Sequence, residues 1–451
     1  MKRRDFLTNS VLTGIGLPLG VAPLAFSSCN GQQTSKTFSP EELGMFSFAK
    51  KAPDGKPLKA ALIGCGSRGT GAAIQFLAAG SDLSIVALAD IFADRMDSCR
   101  KALKEKRNNE VPDANCFIGF DAFRKVLDMN EVDLVLLCTP TFFRPEHFKA
   151  AIDAGKHVFM EKPCAVDPTG VRTVLVSSKA AMTKGLTVVT GTHKRHRRDY
   201  WEAFAQVRNG LIGDLIHATA HGHQGAMWFK NRRPEWSDME YCIRNWFNIY
   251  WLSGGLFIDQ TIHNIDAVTW FLGQHPVRAI GVGGRAQRTI GDTYDFQTVD
   301  YHYENGKRML ATGRQIDGCD GNFSEQIYGS KGIAFLTDTS KDVKIMDYNG
   351  NILWKYDYEA MPVKNPYEQE HIHLVESIRQ NKKINQAEAL AYSCQIAILG
   401  CEAAFTGKAL TWEEMMSSTL RYGPEKIEFG ALPNYHEGVV PVPGQAPKVT
   451  V

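Results

Sequence analysis

The sequence has no Cys-x-x-Cys pair and no zinc-type spacing of Cys and His, although it contains ten cysteines. That excludes a structural-zinc scaffold and a dithiol redox motif. Cysteines in apolar or strand-like surroundings, such as Cys65, Cys138 and Cys401, read as buried free thiols, which suits folding in a reducing compartment. Charge of one sign is also missing. The 51 Lys and Arg against 49 Asp and Glu leave +2, so no electrostatic case exists for a nucleic-acid partner. After Phe26 no stretch reads as long and apolar enough to cross a bilayer. What is present is an ordinary globular composition, 44% hydrophobic and 22% charged over 451 residues, which predicts more than one domain and most simply two.

One loop carries chemistry. Leu58 to Ile63 is a short run of strand formers, and Gly64-x-Gly66-x-x-Gly69 follows at once, with Ser67 and Arg68 inside it. A helical pattern then runs through Ala72, Ile74, Phe76 and Leu77, and a second strand, "LSIVALAD", ends at Asp90. Gly64 allows a tight turn, Gly66 lets the backbone approach a pyrophosphate, and Gly69 lets helix and strand pack closely. The helix start offers free N–H groups to phosphates. Asp90 can accept from both ribose hydroxyls and would repel a 2′-phosphate. No Arg follows it directly, so the expected cofactor is NAD and not NADP.

The alternation continues through "FDAFRKVLDM", "VDLVLLCTP", "PEHFKAAIDAG", "HVFMEKP", a helix from about Pro168 to Lys184, and "LTVVTG". Strands alternating with helices predict an α/β protein with a doubly wound parallel sheet, a Rossmann domain over residues 58–190. Thr139, Pro140, Glu161, Lys162 and Pro163 fall at strand ends and so face the cofactor crevice.

The N-terminus reads as an address. Lys2, Arg3 and Arg4 precede an apolar stretch from Val11 to Phe26, and the twin arginine followed by Asp5, Phe6 and Leu7 resembles a Tat export signal. The Tat route carries folded proteins, so the expectation is a periplasmic protein that folds and loads its dinucleotide before export. "FSSCN" resembles a loosened lipobox, with Phe26 where Leu is commoner, and lipidation of Cys29 would anchor the protein without a membrane span. Residues 1–29 are thus read as the signal and 30–57 as a polar linker.

"CTP", "AAIDAGKHVFMEKP", "GGLFIDQTIHNIDAVTWFLG" and the closing "NPYEQEHIHLVESIRQNKKINQAEALAYSCQIAILGCEAAFTGKALTWEE" together resemble the glucose-fructose oxidoreductase/inositol dehydrogenase (Gfo/Idh/MocA) family. The resemblance spans roughly residues 58–420. It implies that residues 191–451 form a second α/β domain with a large, open, mostly antiparallel sheet that serves substrate binding and homo-oligomer formation, its last helices free to pack back on the first domain. It implies sugar or polyol substrates, and a catalytic group at Lys162, Asp259 and His263. The chain departs from the family after "CTP", where Thr141, Phe142, Phe143 and Arg144 stand before His147. That loop is given no catalytic role, and His147 reads as a helix-surface histidine.

Oxidising an alcohol needs a base with a pKa near neutrality, which favours His. Asp259 and His263 are four apart on a helical stretch expected from about Ile258 to Leu272, so they share a face. Asp266 is read as a structural helper. Lys162 comes from the first domain to favour a developing alkoxide. His193, Arg195 and His196 are candidates for sugar hydroxyls, as are Arg244 and Asn245, with Trp246 offering a flat face to sugar C–H groups. Arg197 and Arg198 read as a solvated hinge, and Tyr367 and His371 are weaker candidates. His221 and His223 form an isolated His-x-His pair, and no metal site is expected.

The predicted activity is that of an exported NAD-dependent oxidoreductase acting on a sugar or glycoside hydroxyl, at C3 for instance, with tightly bound cofactor. The alternative is an NAD-dependent glycosidase of the glycoside hydrolase family 109 type, working by oxidation, elimination and reduction. The resemblance implies that those glycosidases lack the lysine of Glu-Lys-Pro, which this chain has at Lys162. A third reading is a non-enzymatic NAD-dependent sugar sensor.

Overall fold

Six short, apolar strands form the first sheet: β1 (Leu58–Ile63), β2 (Leu83–Asp90), β3 (Cys116–Ile118), β4 (Leu134–Leu137), β5 (His157–Met160) and β6 (Val188–Thr190). Their order is β3-β2-β1-β4-β5-β6 and every neighbouring pair is parallel. All four residues of β4 are buried, as expected of a parallel strand covered on both faces. The strand order reverses beside β1, so the crevice beyond the ends of β1 and β4 is where a ligand belongs. The computed structural model describes residues 38–39, 42–338, 341–433 and 435–445. The segment read as an export signal, Cys29 and the first part of the expected linker lie outside the described residues.

The second sheet has nine strands: β7 (Leu215–Gln224), β8 (Arg278–Gly284), β9 (Phe296–His302), β10 (Arg308–Gln315), β11 (Asn322–Gly329), β12 (Gly332–Thr337), β13 (Lys344–Asp347), β14 (Ile352–Lys355) and β15 (Leu410–Thr411). The order is β14-β13-β12-β11-β7-β10-β9-β8-β15, antiparallel except for β7 with β10. Burial alternates along β9 and β12, so one face is packed and the other is open. Helices Ile262–Leu272 and Ala387–Thr406 cover the packed face. The α/β class with one Rossmann sheet and one large, mostly antiparallel sheet is therefore as the sequence implied.

Three local expectations need correcting. The 20-residue helix Ala387–Thr406 is long and apolar enough to cross a bilayer, contrary to the sequence reading, but nearly all of it is buried in the core against the second sheet and helix Pro168–Thr183. The C-terminal part of the linker is docked: Phe46 stacks on His196, and Ala52 is buried. The expected helix from Ile258 begins as a wide π-type turn, Phe257–Thr261, before the regular helix Ile262–Leu272. The Asp259 carbonyl in that turn accepts from Lys162 Nζ at 2.5 Å, a long-range bond that local spacing cannot reveal.

Candidate active site

The glycine loop builds a phosphate cradle. Gly64 has φ +97°, and a Cβ there would lie 2.8 Å from the Cys138 and Thr139 backbone. A Cβ on Gly69 would overlap the Gly64 carbonyl, whereas one on Gly66 would meet nothing within 4 Å. So two glycines are required by close packing, and the third opens onto a cavity of 680 Å³ whose walls include Ser67, Arg68, Asp90, Thr139 and Pro140. Helix Ser67–Ala78 starts there with no side-chain cap and no acid in its first turn, leaving its N–H groups for an anion. These residues fit a dinucleotide.

Asp90 is held by the Cys65 amide at 2.6 Å and the Phe92 amide at 2.9 Å, one on each carboxylate oxygen. Burial pushes its pKa up against those donors and the nearby Arg95. Arg95 and Lys230 line the same cavity. The absence of an adjacent Arg in sequence thus misses a cation five residues on. Asp90→Ala should weaken NAD by about 1.5–3 kcal/mol, the scale of a lost charge-assisted hydrogen bond, and raise NADP affinity relative to NAD because Arg95 loses an opposing carboxylate. Titration of both dinucleotides checks this; a native protein that prefers NADP contradicts the role given to Asp90.

Arg68 and Glu161 hold one another by a short ion pair through Arg68 Nε. Burial would raise Glu161, but Arg68, Arg144 and Lys162 outweigh it and keep the carboxyl below its usual range. The Arg68 guanidinium also lies 5.0 Å from the Tyr367 ring centroid and 3.6 Å from Glu370. Burial pushes Glu370 well above the usual carboxyl range. Arg68 lines the cavity, while Glu161 stands behind it as its anchor.

Lys162 leaves β5 and reaches across to the wide turn. Its Nζ is 2.5 Å from the Asp259 carbonyl oxygen and 3.7 Å from Asp259 Oδ2, and Gln260 Nε2 donates to the same carboxylate oxygen at 2.7 Å. His263 opens into a second cavity of 650 Å³, with His193, Gln260, Asp338 and Tyr367 in its wall. The His193 and His263 rings meet edge-on with centroids 4.4 Å apart, and His193 stacks on Tyr367 at 5.0 Å. His193 Nε2 is 3.4 Å from Asp338 Oδ2. Burial, reinforced by the Lys162 charge, pushes His263 well below the ordinary histidine pKa, so its ring is a neutral base. The structure brings Lys162 to Asp259 and places His263 one turn along, with Asp259 bonded to Gln260 rather than to the imidazole.

Under this floor runs a buried ionic network that sequence patterns did not reveal. Lys194 Nζ lies 2.5 Å from Glu325 and 3.2 Å from Asp338, Arg197 joins Asp199 to Asp338, and Asn264 Nδ2 donates to Glu325 at 2.5 Å. Glu325 and Asp338 come from β11 and the end of β12, far from the basic run in sequence, whereas Asp199 directly follows that run. Arg197 is therefore a buried partner and not a solvated hinge.

Several sugar-binding candidates are used elsewhere. Arg195 makes a two-pronged pair with Asp266 at 2.8 and 3.0 Å, which explains Asp266 as a structural helper. His196 is 1% exposed and packs its Nδ1 2.7 Å from that of His373. His371 is a core residue against Phe76 and Phe159. Arg244, Asn245 and Trp246 stand at the Asp90 end of the dinucleotide cavity, so of the six candidates only His193 lines the His263 cavity. His147 is not a surface residue: it is buried against Phe123, with Nδ1 3.3 Å from Thr139 Oγ1, and burial pushes its pKa down to about 3. His221 and His223 converge on the Thr312 hydroxyl at 2.7 and 2.8 Å.

Residues 58–192 match the model of an oxidoreductase family with an NAD-binding Rossmann fold, and residues 200–335 match the GFO/IDH/MocA C-terminal domain. The chain is 26% identical over 265 residues to the D-glucoside 3-dehydrogenase of Escherichia coli, covering 57% of this chain and 67% of that one. It is also 26% identical over 218 residues to a glycosyl hydrolase family 109 protein of Shewanella, covering 48% and 45%. In fold it is similar to scyllo-inositol dehydrogenase from Lactobacillus casei with bound NAD(H) and scyllo-inositol, at a TM-score of 0.61 and 20% identity over 79% of this chain and all of that one. A glycine cradle beside Asp90, a lysine carried across to the wide turn and a neutral histidine one turn on thus accompany a match over both halves: the chain belongs to the Gfo/Idh/MocA family of NAD-binding oxidoreductases.

Proposed function

We propose that the protein is an exported, periplasmic NAD-dependent dehydrogenase that interconverts a hydroxyl and a keto group on a sugar or glycoside, with C3 of a glycoside as the preferred position. The observation that carries this is the approach of Lys162 to the turn bearing Asp259, just before His263, which brings a cation from the nucleotide-binding half near a neutral base from the other. Bound NAD supplies the acceptor for the hydride. His263 takes the hydroxyl proton, the Lys162 ammonium favours the developing alkoxide, and His193 and Tyr367 border the space for the sugar. The C3 preference leans on the likeness to the D-glucoside 3-dehydrogenase. Homo-oligomer formation through the open face of the second sheet, where Val282 is 63% exposed, and a lipid anchor at Cys29 belong to the same proposal.

The likeness to a family 109 glycosyl hydrolase favours one rival, net glycoside cleavage on the same site. Purified protein given a panel of glycosides without added NAD, in deuterated water, separates the two by mass spectrometry of the products. The dehydrogenase reading predicts a keto-sugar formed up to the amount of cofactor carried by the protein. Cleaved sugar carrying deuterium beside the oxidised carbon would establish the rival.

A further inference from the structure

The segment that leaves β7 crosses the adenosine end of the dinucleotide cavity. Trp228, Lys230 and Trp246 line that cavity together with Asp90 and Arg95. Surface loops are ordinarily more mobile than the elements they connect, but buried amides hold this one. Asn245, 0% exposed, accepts from the Lys230 amide at 2.7 Å and donates to the Lys230 carbonyl at 3.0 Å. Asn248, 3% exposed, donates to the Trp228 carbonyl at 3.0 Å. A buried amide is costly unless its hydrogen bonds are made, so the loop conformation and the amide positions fix each other. Arg244 completes the closure. It makes a double contact with Asp94 at 3.1 and 3.2 Å and lies 3.9 Å over the Phe92 ring, both on the segment that follows the Asp90 strand end.

We propose that residues 225–248 form a strap over the adenosine half of NAD, which keeps the dinucleotide bound through successive turnovers. The proposal deepens the dehydrogenase reading and rests on it for the word turnover, but the strap itself acts on NAD binding alone. Trp228 lines the cavity and is 44% exposed, so it is placed at the adenosine end and can be removed without opening the core. Release then requires the Arg244–Asp94 contact and the Trp228 cover to open together.

The test uses the full-length protein loaded with NADH, mixed with a large excess of NAD, with release followed by NADH fluorescence and by rapid filtration. Native protein is expected to release NADH more slowly than it turns over sugar. Trp228→Ala and Arg244→Ala should each release it about tenfold faster or more, equal to roughly 1.4 kcal/mol of lost retention. Thermal melting confirms that both variants are folded, and a variant that fails this check is replaced by Arg244→Lys, which keeps the charge but loses the two-pronged contact. Native exchange faster than turnover overturns the proposal, as does native-like release from both folded variants. Because release is measured without sugar, slow native release with fast variants supports the strap even if no sugar is oxidised, an outcome that would refute only the dehydrogenase reading.

Discussion

His263→Ala should lower turnover by about a hundredfold or more, the usual scale for a positioned acid–base group, while NAD stays bound. The ring is the one group in the His263 cavity that combines partial exposure with a pKa depressed by burial and by the Lys162 charge. The sign of that shift sets the pH profile. A lowered folded-state pKa keeps the imidazole neutral below the ordinary histidine value of about 6.5, so the acid limb of kcat/KM should lie under that value and vanish in the alanine variant. NAD affinity should not move, because His263 lies outside the dinucleotide cavity. Steady-state kinetics against pH, beside a direct NAD titration, checks both parts. A variant that keeps the native rate and the native acid limb places the base elsewhere.

Lys162→Met should cost about 10²–10³ in rate, the range found when a preorganised electrostatic group is removed from a developing oxyanion. Methionine keeps much of the length and removes the charge. The side chain is only 12% exposed, so little solvent screens its ammonium. The substitution also takes the donor from the Asp259 carbonyl, and the wide turn then loses a long-range tie. Lys162→Arg separates the two effects: it restores a charge but cannot reproduce a point donor at 2.5 Å from that carbonyl. The expected order is native, then arginine, then methionine, in single-turnover rate, with the melting temperatures of all three compared. Equal rates for native and methionine protein would remove Lys162 from the chemistry.

How far the sequence could lead depended on whether the partners were local. Gly64, Gly66, Gly69 and Asp90 sit within one strand-loop-helix-strand unit, so their spacing carries their geometry. Asp259 and His263 share one short segment, so spacing places them near each other, but the wide turn that holds Asp259 against Gln260 and Lys162 could not be foreseen. Arg195 and His196 look available in sequence because the run "HKRHRR" is polar. Their fates are set by Asp266, Ser393 and His373, which arrive from distant helices and draw them into the interior. The same holds for Lys194, whose two acids come from β11 and the end of β12. Trp228 and Lys230 were not legible for the opposite reason: an exposed loop has no periodicity, and only the fold brings it to the cavity that Asp90 lines. Trp246 offers a flat face suited to sugar in sequence, and the fold places it among the residues that line the dinucleotide cavity.

The most direct test of the central claim is transfer of a label. A glycoside deuterated at C3 is mixed with stoichiometric NAD-loaded protein, the reaction is quenched within one turnover, and the nicotinamide is analysed by mass spectrometry. The account predicts that deuterium moves from the sugar carbon to the nicotinamide, and that His263→Ala and Lys162→Met slow its arrival. A sugar consumed with its C3 deuterium in place, and a nicotinamide that never acquires the label, would contradict oxidation at that carbon by this site.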